Sequence, residues 1–380
     1  MTVIFDEGGQ FHERRPLGML ARLLQRLHID GPLLAGLLGL CALGLFVLYS
    51  AGGQDSALLT RQAIRLCFGF GAMLLLAQLP PNLLRTWAPW LYLFGVVLLG
   101  LVLERGYIGK GAQRWLDLGV LRFQPSEIMK LAVPMTAAWY LHSKALPPRL
   151  GHLILVGAIA LVPAAMVAVQ PDLGTALLIA SAGVITIFIA GIQLRWIIAL
   201  AVLAGSLAPV LWFNMHGYQR DRILTFLDPE RDPLGAGYHI IQSTIAIGSG
   251  GVFGKGWLNG SQAQLDFLPE PDTDFIFAVL GEELGLMGAL TLLALYAFIV
   301  LRGLYIASQG QDTFSRLLAG CLSLTFFVYV FVNTGMVTGL MPVVGVPLPL
   351  VSYGGTSMVT ILAGFGMLMS VQTHRKLLAA

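Results

Sequence analysis

One short segment of the chain places acidic side chains just before a long apolar run. Asp272 and Asp274 flank Thr273, and the apolar run Leu284–Leu301 that follows contains no charged residue. The pattern predicts that Asp272 or Thr273 caps a helix and that Asp274 lies in its first turn, about 15 Å above the apolar run. A carboxylate at the level of the lipid headgroups is costly unless it has a use, so Asp274 is a candidate general base. The alternative is an acid that only interacts with the helix dipole.

Residues without side-chain bulk form a stripe on the helical face beneath this acid. At about 100° per residue, one line along the helix contains Ala278, Gly281, Gly285 and Gly288. Such a stripe serves either close packing against another helix or a groove for a long acyl or isoprenyl chain with the acid at its mouth. The sequence favours neither use.

A second polar group combines cations with the start of a helix. Arg114 and Gln124 precede an apolar run in which Pro125 suits the first helical turn. Glu127 and Lys130 are three residues apart, so they share one face of that helix. Phosphate binds Arg and Lys through charge-assisted hydrogen bonds, and the group therefore predicts a site for an anionic headgroup. The alternative is membrane anchoring by snorkelling side chains.

Three further residues are candidate substrate ligands. Arg61 and Ser352 stand at the starts of other apolar runs on the same side, where helix N-termini favour anions. Lys255 belongs to the glycine-rich run Gly248–Gly256, which lacks the residue spacing of a nucleotide-binding P-loop. We predict that this run is a flexible re-entrant loop.

The elements that must position these residues follow from composition. The chain has 380 residues, of which 56% are hydrophobic and 11% charged, which excludes a cytosolic enzyme, a secreted disulfide scaffold and a nucleic-acid-binding protein. Ten apolar runs predict an all-α polytopic membrane protein with about ten transmembrane helices, and strands of alternating hydrophobicity are absent. The three cysteines lie in apolar runs, and neither they nor His216 and His239 have metal-ligand spacing.

Orientation follows from the concentration of Lys and Arg in one set of connections, which places both termini in the cytoplasm. The two long polar connections then lie outside, and we expect the chemistry on the extracytoplasmic face. The predicted segments are a cytoplasmic tail with an interfacial helix (1–30), helices one to seven (31–215), a large extracytoplasmic loop (216–273), helices eight to ten (274–371) and a second cytoplasmic tail (372–380). The interfacial helix rests on leucines that share one face; the alternative is a disordered basic tail.

Several longer motifs are specific enough to identify a family. Through them the chain resembles the SEDS family (shape, elongation, division and sporulation), most closely its elongation branch, over essentially all residues after the N-terminal tail. The motifs are Phe123–Glu127, Leu227–Ser243, Gly254–Trp257, Thr273–Phe277, Glu282–Gly285 and Pro347–Gly355.

The resemblance implies a ten-helix inner-membrane peptidoglycan glycosyltransferase that serves cell elongation and rod shape. Such enzymes polymerise lipid II, a disaccharide-pentapeptide on undecaprenyl pyrophosphate, beside a class B penicillin-binding transpeptidase. The resemblance places the essential acid of the family at Asp274, and it places Glu127 and Lys130 in the central cavity. Family members often carry His where this chain has Asp272.

Together these features predict inverting glycosyl transfer. Asp274 accepts the proton of the attacking hydroxyl, and Lys130, Arg114 and the helix N-termini stabilise the pyrophosphate that leaves. Mg²⁺ could share that charge, although the sequence predicts no ligands for a metal. The alternative is a lipid II flippase or transporter, which would place polar sites near the bilayer midplane. A scaffold without catalysis is a third possibility.

Overall fold

The computed structural model describes residues 27–109, 112–117, 122–214, 217–228, 236–265, 267–268 and 270–374. The interfacial helix predicted for the N-terminal tail falls outside these residues. Elements are numbered in chain order within the described residues: α1 Gly31–Ala51, α2 Ser56–Ala77, α3 Pro81–Arg105, β1 Tyr107–Gly109, β2 Ala112–Asp117, β3 Arg122–Phe123, α4 Pro125–Leu141, α5 Leu150–Val169, α6 Leu173–Ile189, α7 Leu194–Asn214, α8 Gly217–Leu227, α9 Ala236–Gly250, α10 Ser261–Gln264, α11 Ile276–Ser308, α12 Thr313–Val337 and α13 Thr356–Thr373.

The helices confirm an all-α membrane architecture. Each of the ten predicted apolar runs coincides with one helix of the described chain: α1 to α7 and α11 to α13. By length and composition, seven of the described helices could cross a membrane. α4 and α6 are shorter, with 17 residues each. α8, α9 and α10 lie in the connection predicted to be the large extracytoplasmic loop.

Local sequence explains where several helices begin. Asp30 caps α1 by accepting a hydrogen bond from Leu33 N at 2.9 Å, and Asp55 caps α2 through Ala57 N at 2.7 Å. Pro81 opens α3 and Pro125 opens α4, where the missing proline N–H costs nothing.

A small antiparallel sheet, which the sequence did not predict, forms between α3 and α4. β2 is its central strand and pairs with both β1 and β3. The sheet matters for the site because Arg114 lies on β2.

The core of the bundle lies along α12. In the most apolar window of α12, 72% of residues are buried, compared with 22% in α2 and in α3. α12 packs against α4, α6, α11 and α13, whereas α2 packs mainly on α13. Residues that converge on α12 are therefore shielded from lipid.

Polar contacts join several helices at the end of the bundle opposite residues Asp272–Asp274, which we call the acidic segment. The Arg302 guanidinium donates to both carboxylate oxygens of Asp30, at 3.0 and 2.7 Å. The rings of His28 and His374 stack with centroids 4.1 Å apart. These contacts join the start of α1 to the cytoplasmic ends predicted for α11 and α13.

Candidate functional site

Asp274 lies in a turn before α11 and not in the first turn of the helix. α11 begins at Ile276, and its N-cap residue Phe275 makes no side-chain capping hydrogen bond. The predictions that Asp272 or Thr273 caps the helix and that Asp274 lies in its first turn are therefore wrong.

The backbone carbonyls of this segment accept hydrogen bonds from two other parts of the fold. Tyr353 N donates to Asp272 O at 2.7 Å, and Ser352 Oγ donates to Thr273 O at 2.5 Å. The third carbonyl, Asp274 O, accepts from the side chain of a residue on α12 at 2.9 Å. These three bonds fix the segment as a turn that precedes the helix.

The residue on α12 is Asn333, which is fully buried. Its amide nitrogen also donates to Val346 O, at 2.8 Å. The loop that follows α12 is thereby brought beside the acid. Gly345 has φ 72°, and a Cβ built on it would lie 3.5 Å from Asp274 Oδ2. The backbone of Asp274 is therefore held in place. Asp274 is half-buried, so its carboxylate remains accessible.

Glu127 and Lys130 form the second part of the site. Lys130 Nζ lies 2.7 Å from Glu127 Oε1 in an i,i+3 pair on α4, and both residues are buried. The predicted common face is confirmed. The same ammonium lies 5.5 Å from the ring centroid of Tyr329 on α12. Because Tyr329 is one helical turn before Asn333, α12 connects this ion pair to the acidic segment.

Arg114 and Gln124 meet at Asp172, the N-cap residue of α6. Gln124 Nε2 donates to Asp172 Oδ2 at 3.1 Å, and Arg114 Nε lies 3.8 Å from the same oxygen. Arg114 also donates to the carbonyls of Gln170 and Pro171. Both predicted substrate ligands therefore hold the start of α6 in this structure, and the charge of Arg114 is already partly neutralised.

Ser352 holds two backbone segments together through its hydroxyl, and the residue is only 2% exposed. Its hydroxyl accepts from Leu348 N at 2.8 Å while it donates to Thr273 O. Gln62 on α2 clamps the same loop by donating to Ser352 O at 3.0 Å. Ser352 thus supports the acidic segment through the backbone carbonyl of Thr273.

Arg61 lies at the start of α2, next to Gln62, which contacts this loop. Its side chain is 54% exposed, and its guanidinium lies 3.6 Å from Asp55. Arg65, one turn along α2, lies 4.5 Å from the ring centroid of Tyr353 and donates to Gly354 O at 3.2 Å. Arg65 therefore places a cation against the loop that holds Asp272 and Thr273, and Arg61 lies one turn earlier on the same helix.

The polar contacts of Lys255 in the described chain are with residues other than those around Asp274. Its ammonium lies 2.6 Å from Glu282 Oε1 and donates to Ser261 Oγ at 2.9 Å. Glu282 is fully buried and also accepts from Gln262 N at 3.1 Å. The contacts support a structural role for Lys255.

The glycine-rich run completes α9 at Gly250 and continues as a hydrogen-bonded turn, in place of the predicted flexible loop. Lys255 N donates to Glu282 O at 3.0 Å, and Leu286 N donates to Gly251 O at 3.0 Å. These bonds are possible because α11 is broken at Gly285, which has φ 64° and ψ −160°, a conformation that favours glycine.

This break settles the use of the small-residue stripe. The stripe is interrupted at Gly285, and a Cβ built on Gly250 of α9 would collide with Gly281 O. A Cβ on Gly281 would lie 3.2 Å from Ile247. The stripe therefore serves close packing of α11 against α9, and the alternative of an acyl groove on this face is wrong.

His239 lies on α9 beside the acidic segment. Its ring stacks on Phe275 with centroids 5.7 Å apart. Burial lowers the pKa of His239, and the nearby charge of Glu270 opposes that change. The neutral imidazole thus acts as a packing surface for the residue that follows Asp274.

Sequence reasoning missed Tyr329, Asn333 and Asp172. The available signal was an Asn within an apolar span, because polar residues in such spans are often functional. No group of three or more His, Cys, Asp or Glu side chains suited to a metal ion occurs among the described residues.

Comparison with known proteins gives consistent matches over nearly the whole chain. The FtsW/RodA/SpoVE family model, described as cell cycle protein, matches residues 32–377. Peptidoglycan glycosyltransferase MrdB of Escherichia coli (strain K12) is 53% identical over 355 residues, covering 93% of this chain and 96% of that protein. The probable peptidoglycan glycosyltransferase FtsW of Geobacter sulfurreducens (strain DL-1 / KN400) is 35% identical over 378 residues, covering 95% of this chain and 99% of that protein.

Solved structures also match. A peptidoglycan synthase complex described as coordinating polymerization and crosslinking contains a chain with TM-score 0.79 and 35% identity, covering 90% of this chain and 97% of that chain. The rod shape determining protein RodA of Thermus thermophilus has TM-score 0.68 and 29% identity, covering 91% of this chain and 98% of that chain.

Proposed function

The chain belongs to the FtsW/RodA/SpoVE family of cell cycle proteins and is a peptidoglycan glycosyltransferase of the cytoplasmic (inner) membrane, and we propose that it polymerises lipid II with Asp274 as general base. The observation that carries the residue assignment is the geometry of Asp274. Its carboxylate is half-buried and faces a glycine, while three consecutive backbone carbonyls fix the segment on which it lies.

The reaction is inverting glycosyl transfer. The 4-hydroxyl oxygen of an acceptor N-acetylglucosamine attacks C1 of the donor N-acetylmuramic acid as the bond from C1 to the diphosphate oxygen breaks. The diphosphate leaves with the bonding electrons, and the hydroxyl proton passes to Asp274. A positioned general base contributes roughly 10²–10⁴-fold to such a rate.

The leaving diphosphate requires positive charge that is not already neutralised. Lys130 and Arg114 each face a carboxylate, so they offer less charge than the sequence predicted. Arg61 is largely exposed and its own pair is weak. We place the diphosphate between Arg61 and the N-terminus of α13, where Gly355 provides no side-chain cap and the N–H groups favour an anion. Arg65 donates a hydrogen bond to Gly354 O in the loop that leads into α13.

The proposed topology puts this site on the extracytoplasmic face, with both termini in the cytoplasm. It follows from the Lys and Arg distribution of the connections. Asp274, Arg61 and the start of α13 then lie at one face and not at the midplane expected for a transporter.

The partner we propose is a class B penicillin-binding transpeptidase, which would cross-link the new glycan. This rests on the similarity to a chain of a peptidoglycan synthase complex.

The test is polymerisation by the purified full chain. Lipid II in detergent is incubated with the protein, alone and with the transpeptidase, and glycan chains are separated on a gel. We expect chains in the presence of moenomycin, which inhibits glycosyltransferases of a different fold. Absence of glycan under all conditions, from folded protein that carries its partner, would contradict the proposed function.

A further inference from the structure

Three cations lie at the end of the bundle opposite the acidic segment, on the connections that join α4 to α5 and α6 to α7. Lys144 and Arg149 belong to the first connection, and Arg195 lies in the first turn of α7, just after the second. All three residues are exposed. We call Lys144, Arg149 and Arg195 the basic cluster.

The two connections that carry the basic cluster are in contact. A Cβ built on Gly191 would lie 3.9 Å from Cβ of Pro147, which is ordinary van der Waals contact. Pro147 is two residues from Arg149, and Gly191 is four residues from Arg195. The helices α4, α5 and α6 also pack against one another. The three cations therefore belong to one place in the fold.

No carboxylate of the described chain neutralises the basic cluster. Asp172 is the only acidic residue between positions 128 and 220, and it caps α6 at the opposite end of that helix. Within the part of the chain that the structure describes, none of the three cations forms an ion pair. The cluster therefore presents three positive charges to its surroundings.

Other cations at this end of the bundle have partners of their own. Arg302 donates to both carboxylate oxygens of Asp30. Arg316 donates to Gly310 O at 2.8 Å and follows the carboxylate of Asp312 by one turn at the start of α12. Positive charge is thus compensated at these two places and left uncompensated in the basic cluster.

Aromatic rings accompany two of the cations. The Lys144 ammonium lies 5.6 Å from the ring centroid of Tyr140, and the Arg195 guanidinium lies 5.1 Å from that of Trp196. Tyr and Trp are enriched where a membrane protein meets the lipid headgroups. The cations therefore lie at the depth at which lipid phosphates are found.

Exposed hydrocarbon surrounds the same cations. Leu146 is 42% exposed, Leu150 44% and Leu194 68%. An inorganic phosphate or an acidic peptide would match the charges and leave these leucines without an apolar partner. A ligand that joins an anion to acyl chains matches both, and cations near an anionic lipid surface each contribute about fivefold to binding.

We propose that the basic cluster binds the phosphate of an anionic phospholipid, whose acyl chains lie against Leu146, Leu150 and Leu194. In the proposed topology this lipid belongs to the cytoplasmic leaflet, across the membrane from Asp274. The inference does not depend on the proposed function, because no residue of the basic cluster takes part in the proposed reaction.

The test measures the Kd of phosphatidylglycerol for the purified full chain in neutral detergent by native mass spectrometry, with thermal unfolding as a second readout. Phosphatidylcholine has the same phosphate and acyl chains without net negative charge, and inorganic phosphate has the charge without acyl chains. The variants are Lys144→Gln, Arg149→Gln, Arg195→Gln and the triple replacement. Arg195→Lys keeps the charge. Arg316→Gln is the matched control, because it removes a cation from the same end of the bundle.

We expect each replacement by Gln within the cluster to raise the Kd for phosphatidylglycerol about fivefold, which corresponds to about 1 kcal/mol. The triple variant should raise it about 100-fold, whereas Arg195→Lys and Arg316→Gln should leave it unchanged. Phosphatidylcholine should bind weakly to every variant. Binding of phosphatidylglycerol should weaken as salt is added, because salt screens exposed charges.

Equal affinity of the triple variant and the unaltered chain for phosphatidylglycerol would overturn the proposal. So would equal losses for Arg316→Gln and Arg195→Gln, which would show that only the overall charge matters. Equal binding of phosphatidylcholine would show that the phosphate charge is not recognised, and equal stabilisation by inorganic phosphate would show that the acyl chains add nothing. Stabilisation by polyglutamate and not by phosphatidylglycerol would indicate an acidic protein partner and would also overturn it.

Discussion

The side-chain amide of Asn333 donates to the backbone carbonyl of Asp274 at 2.9 Å and to that of Val346 at 2.8 Å. Asn333 is fully buried on α12, the helix along which the core of the bundle lies. The acidic segment is therefore fixed to α12 and to the loop after it as well as to its own helix α11. A change within the bundle core can alter the position of the acid without contacting substrate.

Replacing this residue should slow the reaction more than it weakens the fold. Asn333→Asp keeps the side-chain shape but removes both donated hydrogen bonds, which costs about 1–3 kcal/mol of stability. We expect the polymerisation rate to fall at least tenfold at saturating lipid II. Rates and thermal unfolding in detergent measure the two effects.

The matched control for that change is Thr334→Val. The Thr334 hydroxyl bonds only within α12, to Val330 O at 2.8 Å and to Phe331 O at 3.4 Å, so rate and stability should both be retained. A normal rate for Asn333→Asp would show that the contact to Asp274 O does not position the acid.

Gly345 should not tolerate a side chain. Its φ of 72° lies in the left-handed region, where a Cβ costs about 1–2 kcal/mol, and that Cβ would lie against the Asp274 carboxylate. We expect Gly345→Ala to lower the unfolding temperature and the polymerisation rate. Gly71→Ala is the control, because a Cβ there has no atom within 4 Å and Gly71 lies inside α2. Equal behaviour of the two variants would contradict the predicted strain.

Lys255 offers a test between structural support and substrate binding. Lys255→Met leaves the fully buried Glu282 without its cation. The loss should be roughly 2 kcal/mol of stability, less than for a fully buried pair because Lys255 is partly exposed. Adding Glu282→Gln should recover part of that loss, as measured by thermal unfolding of the single and double variants. A Lys255→Met protein of normal stability that binds lipid II poorly would instead support the substrate role predicted from the sequence.

The stacked histidines at the other end of the bundle predict a pH dependence of stability. Burial, and then the neighbouring His374, lower the pKa of His28 below its ordinary value of 6.5. The folded protein thus favours neutral His28, so the stabilisation is complete above about pH 6.5 and is lost as the pH falls through the lowered pKa. We expect the unfolding temperature to fall between pH 7 and pH 5, and His28→Phe to reduce that fall. An equal fall in both proteins would refute the assignment to His28.

Sequence patterns predicted the ten helices because a membrane-spanning segment must satisfy its backbone internally and remain apolar over many residues. They predicted the Glu127–Lys130 pair because helical periodicity alone brings those side chains together. The small sheet was not predicted because its strands are short and lie among polar and glycine residues without a clear period.

The details around Asp274 could not be read from the sequence because they depend on distant residues. Capping rules describe a helix start in isolation, whereas Tyr353 and Ser352 donate hydrogen bonds to the carbonyls of this segment from about eighty residues away. Asn333 was hidden within an apolar run that was interpreted only as a span. The stripe below Asp274 was ambiguous until α9 was seen to pack against it.

The most direct test of the catalytic assignment compares Asp274→Asn with Asp272→Asn in the lipid II polymerisation assay, using folded protein with its transpeptidase partner. We predict that Asp274→Asn lowers the rate by about 10²-fold or more, because the proton acceptor is lost, while lipid II binding is retained. Asp272→Asn, whose backbone carbonyl makes the structural contact to Tyr353, should keep most of the rate. A normal rate for Asp274→Asn, or a greater loss for Asp272→Asn, would contradict the role of Asp274 as the general base.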